Sequence, residues 1–138
     1  MKSKEPVSKI MTKNVISIKK DAKLPTAEKL FRKYKIRHVP VVENDKIVGI
    51  LSLTDLSRIS FADAYDDNQF VDDSLYSMLS VGQIMANNPI KVSSETTIKD
   101  VALILTKHEF HALPVVNGES LVGIVTTTDL LKYLIEIC

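Results

Sequence analysis

Apolar positions along the 138-residue chain switch between a helical and a strand period, and they do so twice. Val39–Val42 and Leu113–Val116 are valine-rich runs too short for helices, which predicts buried strands. The polar stretches Glu43-Asn44-Asp45-Lys46 and Asn117-Gly118-Glu119-Ser120 have hairpin length, and Ile47–Ser52 and Leu121–Thr126 are the return strands. Upstream, Leu24, Ala27, Leu30, Phe31 and Tyr34 fall at helical spacing, with Pro25 in the first turn, where its missing N–H costs little. Ile98, Val101, Ala102, Ile104 and Leu105 form the matching face, with Thr97 as N-cap and Asp100 three residues on. The short alternating runs Val15–Ile18 and Ile90–Val92 predict a strand before each helix, and Val7–Met11 and Val81–Met85 a helical turn leading in. A final helix is predicted to start near Ser52 and near Thr126.

The two halves are copies. Val7–Ser60 lies over Val81–Leu134 at a constant offset of 74 without a gap, and fifteen of the 54 positions are identical, including Met11, Pro40, Gly49 and Asp55 with their partners. Each copy reads strand, helix, strand, strand, helix, an α+β (mixed α/β) pattern. A unit of about 54 residues buries little surface alone, so two copies packed by their sheets are expected. The expected organisation is a first repeat with its lead-in over 1–62, an acidic linker over 63–80 and a second repeat over 81–138. The stretch Phe61–Ser80 has no counterpart in the repeat and carries Asp63, Asp66, Asp67, Asp72 and Asp73 without a Lys or Arg. Its spacing does not match a calcium loop, and a solvated linker is the reading, with Leu75, Met78 and Leu79 as a helical turn docking on the core.

Composition narrows the function. The formal net charge is +1, so no strong field draws the chain to nucleic acid or anionic lipid, although Lys2, Lys4, Lys9, Lys13, Lys19 and Lys20 cluster near the N-terminus. Cys138 is the only cysteine, which excludes an intramolecular disulfide and suits a reducing compartment. The first residues lack the apolar core of a signal peptide and no apolar run has transmembrane length, so a cytoplasmic location without membrane contact is expected.

Catalytic patterns are missing. There is no nucleophile elbow and no phosphate-binding Gly-x-x-x-x-Gly-Lys-Ser/Thr loop, and His108 and His111, three apart, lack a third metal ligand. A non-enzyme without metal or required cofactor is the expectation. What stands out is the corner where each return strand meets its helix, Gly49-Ile50-Leu51-Ser52-Leu53-Thr54-Asp55 and Gly123-Ile124-Val125-Thr126-Thr127-Thr128-Asp129. Ser52 or Thr126 can cap the helix with Asp55 or Asp129 at N3, a purely structural role. The same hydroxyls, joined by Thr54 and Thr128 and by free helix N–H groups, also suit a ribose phosphate, with the carboxylate for the sugar hydroxyls. Gly49 and Gly123 leave room for another group to approach the strand, and Arg37 and His111 stand at equivalent positions just before the second strand.

The element order, the Val-Pro-Val-Val and Leu-Pro-Val-Val strands and the Gly-Ile-Leu-Ser-x-x-Asp and Gly-Ile-Val-Thr-x-x-Asp corners resemble tandem CBS domains, together a Bateman module. The resemblance runs from about Val7 to Leu134. It implies a disc-shaped pair with pseudo-twofold symmetry and two clefts between the repeats. Those clefts commonly take AMP, ADP, ATP or S-adenosylmethionine. By the resemblance, Asp55 and Asp129 hold ribose, Ser52 and Thr126 meet phosphate, and the backbone around Val15-Ile16 and Pro89-Ile90 reads adenine. Arg37, His38 and His111 would then touch phosphates. Ala112 stands where the first copy has His38, and Ala86 where it has Thr12, so the clefts should differ in affinity. The resemblance implies a regulatory module acting on an effector protein in trans or through a homodimer. The competing expectations are a structural dimerisation scaffold with empty clefts and, from the N-terminal lysines, a nucleic-acid binder.

Overall fold

A computed structural model describes residues 4–64 and 76–138, with side chains through residue 59 in the first stretch. The chain forms two compact units, Ile16–Asn88 and a second one made of Met1–Val15 with Pro89–Cys138. In the first unit, β1 (Ile18–Lys19), α1 (Leu24–Tyr34), β2 (His38–Glu43), β3 (Lys46–Ser52) and α2 (Leu53–Ala64) are followed by α3 (Val81–Ile84) and β4 (Ala86–Asn87). β1 runs parallel to β2, and β2–β3 and β3–β4 are antiparallel. In the second unit a 3-10 turn, Val7–Lys9, precedes β5 (Val92–Ser93), α4 (Ile98–Lys107), β6 (Ala112–Asn117), β7 (Ser120–Thr126) and α5 (Thr127–Ile137). Here β5 is parallel to β6 and β6 antiparallel to β7. Each repeat is thus β-α-β-β-α, as its periodicity predicts.

The caps and turns follow from local chemistry. Pro25 occupies the first turn of α1, and Thr97 Oγ1 accepts the Asp100 N–H at 3.1 Å to start α4. The first hairpin takes positive φ at Asn44 and Asp45, and the second at Gly118, residues that tolerate the left-handed region. The central strands supply the cores. Val39, Val41 and Leu51 of one unit, and Leu113, Val115 and Val125 of the other, are fully buried.

Three expectations need correction. The first strand of each repeat is shorter and later than its apolar run suggests, because only Ile18–Lys19 and Val92–Ser93 join a ladder. Val15 donates instead to the Lys13 carbonyl at 3.0 Å, and Pro89 has no N–H to give. Helix α2 continues to Ala64, into the stretch read as linker. Met78 does not dock: it is 69% exposed, while Tyr76 and Leu79 pack on the core. Asp66, Asp67, Asp72, Asp73 and Leu75 lie outside the described residues.

The units do not coincide with the repeats in sequence, since each lead-in belongs to the unit built on the other copy. The docking is the same in both. Val7 N–H donates to Thr96 O at 2.7 Å and Ile98 N–H to Glu5 O at 2.9 Å; Val81 N–H donates to Ala22 O at 2.8 Å and Leu24 N–H to Leu79 O at 3.1 Å. Thr12 bridges Ile124, and Ala86 pairs with Ile50. Tyr133 on α5 also donates to Glu5 Oε2 at 3.2 Å, and desolvation followed by the Glu5 carboxylate holds its phenol above the ordinary 10.0.

Gly49 and Gly123 make this docking possible. A Cβ on Gly49 would overlap Met85 Sδ and lie 2.9 Å from the Ala86 carbonyl oxygen. One on Gly123 would sit 2.5 Å from Met11 Sδ and 3.1 Å from Thr12 O. What approaches the glycine is therefore the lead-in. G123A is expected to cost about 1–3 kcal/mol in urea unfolding, as for overpacking elsewhere. The exposed Gly118, φ +64°, has nothing near its Cβ position, so G118N should change stability by no more than about 0.5 kcal/mol.

Candidate functional site

Antiparallel register builds both corners. In the first unit His38 is opposite Ser52, so the two side chains share a face at the end of the sheet. Leu53 N–H donates to the Arg37 carbonyl at 2.8 Å, which fixes the chain before β2 against the first residue of α2. Ser52 Oγ accepts the Asp55 N–H at 3.0 Å. In the second unit Ala112 is opposite Thr126, and Thr127 N–H donates to the His111 carbonyl at 3.0 Å. There the capping box is reciprocal: Asp129 N–H donates to Thr126 Oγ1 at 3.2 Å and Thr126 N–H to Asp129 Oδ2 at 3.0 Å. The cap reading of both hydroxyls therefore holds.

Arg37, His38, Ser52, Thr54 and Asp55 converge in one unit, and His111, Thr126, Thr128 and Asp129 in the other. Thr54 and Thr128 are exposed in the first helical turns, and among the described residues no hydrogen bond engages either hydroxyl. Ile16 and Ile90 each lie two residues before the short strand, β1 or β5, that pairs with the central strand on the side away from the hydroxyl-bearing strand. Val15 falls in the other unit from Ile16, and Pro89 is half-buried just before Ile90.

Arg58 was not marked by the sequence reading. Its Nη1 lies 3.8 Å from Asp55 Oδ1, with the guanidinium side chain 77% exposed. The Asp-x-x-Arg spacing on a helix was the signal that could have found it. The equivalent residue on α5 is Lys132, and Asp129 there is engaged by the Thr126 N–H instead.

Other candidates stand apart. His108 stacks on Phe110 with ring centroids 4.9 Å apart, and no group of three or more His, Cys, Asp or Glu converges among the described residues. A cleft of about 680 Å³, lined by Lys19, Lys20, Glu43, Asp45, Ser80 and Gln83, opens at the hairpin end of the first unit's sheet and shares no residue with the corner. Among the described residues no helix is long and apolar enough to cross a membrane. T126A should lose about 1 kcal/mol, the usual worth of such a cap. T128A should stay within about 0.5 kcal/mol, since its hydroxyl is unengaged; urea unfolding of both variants reads the difference.

Comparison with known proteins agrees with the repeat. The family model described as CBS domain matches residues 7–61 and again 81–136. The uncharacterised protein MJ1225 of Methanocaldococcus jannaschii is 30% identical over 131 residues, covering 94% of this chain and 43% of that protein. The chain spans less than half the length of MJ1225 and of three further proteins of the same archaeon, MJ1404, MJ0188 and MJ1232. CBSX2 of Arabidopsis thaliana, solved in complex with AMP, superposes at a TM-score of 0.80 with 27% identity over 96% of this chain and 98% of that one. The CBS domain pair of the protein MJ0100, solved with 5'-methylthioadenosine and S-adenosyl-L-methionine, superposes at 0.80 with 25% identity over 96% and 98%.

Proposed function

The chain belongs to the CBS-domain family, one domain in each repeat, and from that premise we propose that it is a regulatory module sensing an adenosine-containing ligand, AMP, ADP or ATP, at its two corners. The observation that carries this reading is the duplicated constellation of capping hydroxyl, free threonine hydroxyl and N3 carboxylate at the start of an eleven- or twelve-residue helix. A cap needs only the first hydroxyl. The unengaged hydroxyls of Thr54 and Thr128 have no structural task, and they stand beside helix N–H groups that favour an anion. AMP in CBSX2 and S-adenosyl-L-methionine in the MJ0100 pair support the adenosyl class.

In this reading Ser52 or Thr126 seats phosphate, Asp55 or Asp129 takes the ribose hydroxyls, and backbone at Val15-Ile16 or Pro89-Ile90 meets adenine. No step of bond making is required; the output is a change in how the module engages an effector in trans or a second copy. Calorimetry of the purified chain with ATP, ADP, AMP and S-adenosylmethionine should give saturable heat with at least one, and heat from none of them overturns the reading. D129A should weaken binding more than its lost cap lowers stability.

A homodimer is the second part of the proposal. Leu131, Leu134 and Ile135 form an exposed stripe on α5, 55%, 50% and 75% accessible, where the first repeat has Ser57, Ser60 and Phe61. Lys132 and Glu136 flank it four residues apart, so an antiparallel second copy of α5 sets each against its opposite charge. Light scattering should report a dimer for the native chain and a monomer for L134E.

A further inference from the structure

We infer that the two corners accept ligands of different charge, the Ser52–Asp55 corner a nucleoside di- or triphosphate and the Thr126–Asp129 corner a nucleoside monophosphate or an adenosyl compound without a phosphate chain. The inference rests on the adenosyl reading above and assigns a ligand class to each corner. Equivalent positions around the corners differ in the group that each could offer a phosphate. Arg37, whose carbonyl receives the first N–H of α2, is replaced by His111, whose carbonyl receives the first N–H of α5. His38, opposite Ser52, is replaced by Ala112, a buried methyl opposite Thr126. Arg58, beside Asp55, is replaced by Lys132, which makes no pair with Asp129.

The first corner therefore brings two guanidiniums and an imidazole to the helix start, and the second one ammonium and one imidazole. A guanidinium keeps its charge at every working pH and offers a flat fork of donors that fits a phosphate; an imidazole does neither. Arg37 is exposed, and among the described residues its side chain makes no ion pair that it would have to give up. Arg58 is held only by a 3.8 Å contact at high exposure, and such surface pairs are weak, so its guanidinium transfers to a phosphate chain at little cost. At the second corner a long phosphate chain would leave water for a surface that includes the Ala112 methyl, with its outer charges unmatched.

The carboxylates differ in the same direction. Asp129 is locked by its reciprocal cap, which presents a fixed acceptor to ribose, whereas Asp55 shares its carboxylate with Arg58 and is released to the ribose hydroxyls when Arg58 moves to phosphate. Binding of a polyphosphate at the first corner thus exchanges one ion pair for another, and the second corner has no such exchange to make.

The test uses the full chain at low salt with ATP, ADP, AMP and adenosine, measured by calorimetry on D129A, which leaves the first corner, and on D55A, which leaves the second. D129A should prefer ATP over AMP by about tenfold or more, the effect of one added charge-assisted hydrogen bond. D55A should bind the two within about threefold of each other, since no guanidinium is offered to the longer chain. Replacing Arg37 by the second repeat's residue, R37H in the D129A background, should bring the ATP-to-AMP ratio down to about threefold while adenosine affinity holds. Arg37 is exposed, so this variant keeps the fold, and circular dichroism with thermal unfolding confirms it for all three. Raising salt should erode the ratio for D129A far more than for D55A. Equal affinity of D129A for ATP and AMP, or a ratio untouched by R37H, overturns the assignment while leaving the adenosyl reading in place. Failure of the unmutated chain to bind any adenosyl compound overturns both.

Discussion

Met85 fills the space over Gly49, and Met11 the space over Gly123, and in each case the following backbone pairs with the same strand. That close approach is available only where a side chain is missing. It seats a lead-in on each unit, and with it Val81 and Val7, both fully buried. Two further backbone hydrogen bonds on each side accompany it, so the exchange of lead-ins rests on several contacts at once. The strand that carries the glycine then runs straight into the corner. Its end is held at the same time by the lead-in on one side and by the central strand on the other.

A strand gripped in this way can present a helix start without spending the helix's own groups on anchoring it. The carbonyls of Arg37 and His111 take the first helical N–H, and the hydroxyls of Ser52 and Thr126 take the N3 N–H. What is left at each helix start is a threonine hydroxyl and a carboxylate that the fold uses lightly or not at all. Structural capping and ligand binding are therefore compatible at one place, because the cap leaves the threonine hydroxyl and at least one carboxylate oxygen over.

Much of this was legible in the residues. Pro40, Pro114 and the valines around them read as buried strands because nothing else accommodates such runs, and Thr97 with Asp100 announced a helix start by local chemistry alone. The constant offset made the duplication plain. The failures share a cause in long-range contact. Gly49 and Gly123 were read as openings for a ligand, since a sequence shows that a side chain is absent but not what fills the gap. The first strands begin later than the apolar alternation at Val15 and Ile90 suggests, because a ladder needs a partner, and pairing with the central strands begins only at Val41 and Val115. The exchanged lead-ins could not be read at all, because both copies keep the Met and the Gly, which leaves each Met two equivalent glycines to choose between. Arg58 escaped notice because its meaning depends on which atoms Asp55 leaves exposed.

The exchange also bears on how such a chain can be inherited in pieces. A fragment cut at residues 7–61 carries Met11 away from Gly123 and leaves Met85 behind, so its own Gly49 loses the side chain that covers it. Such a repeat is completed only where another lead-in brings a methionine to the same place. Methionine and glycine, 38 residues apart within each copy yet paired with the other's, thus make neither repeat whole without the other.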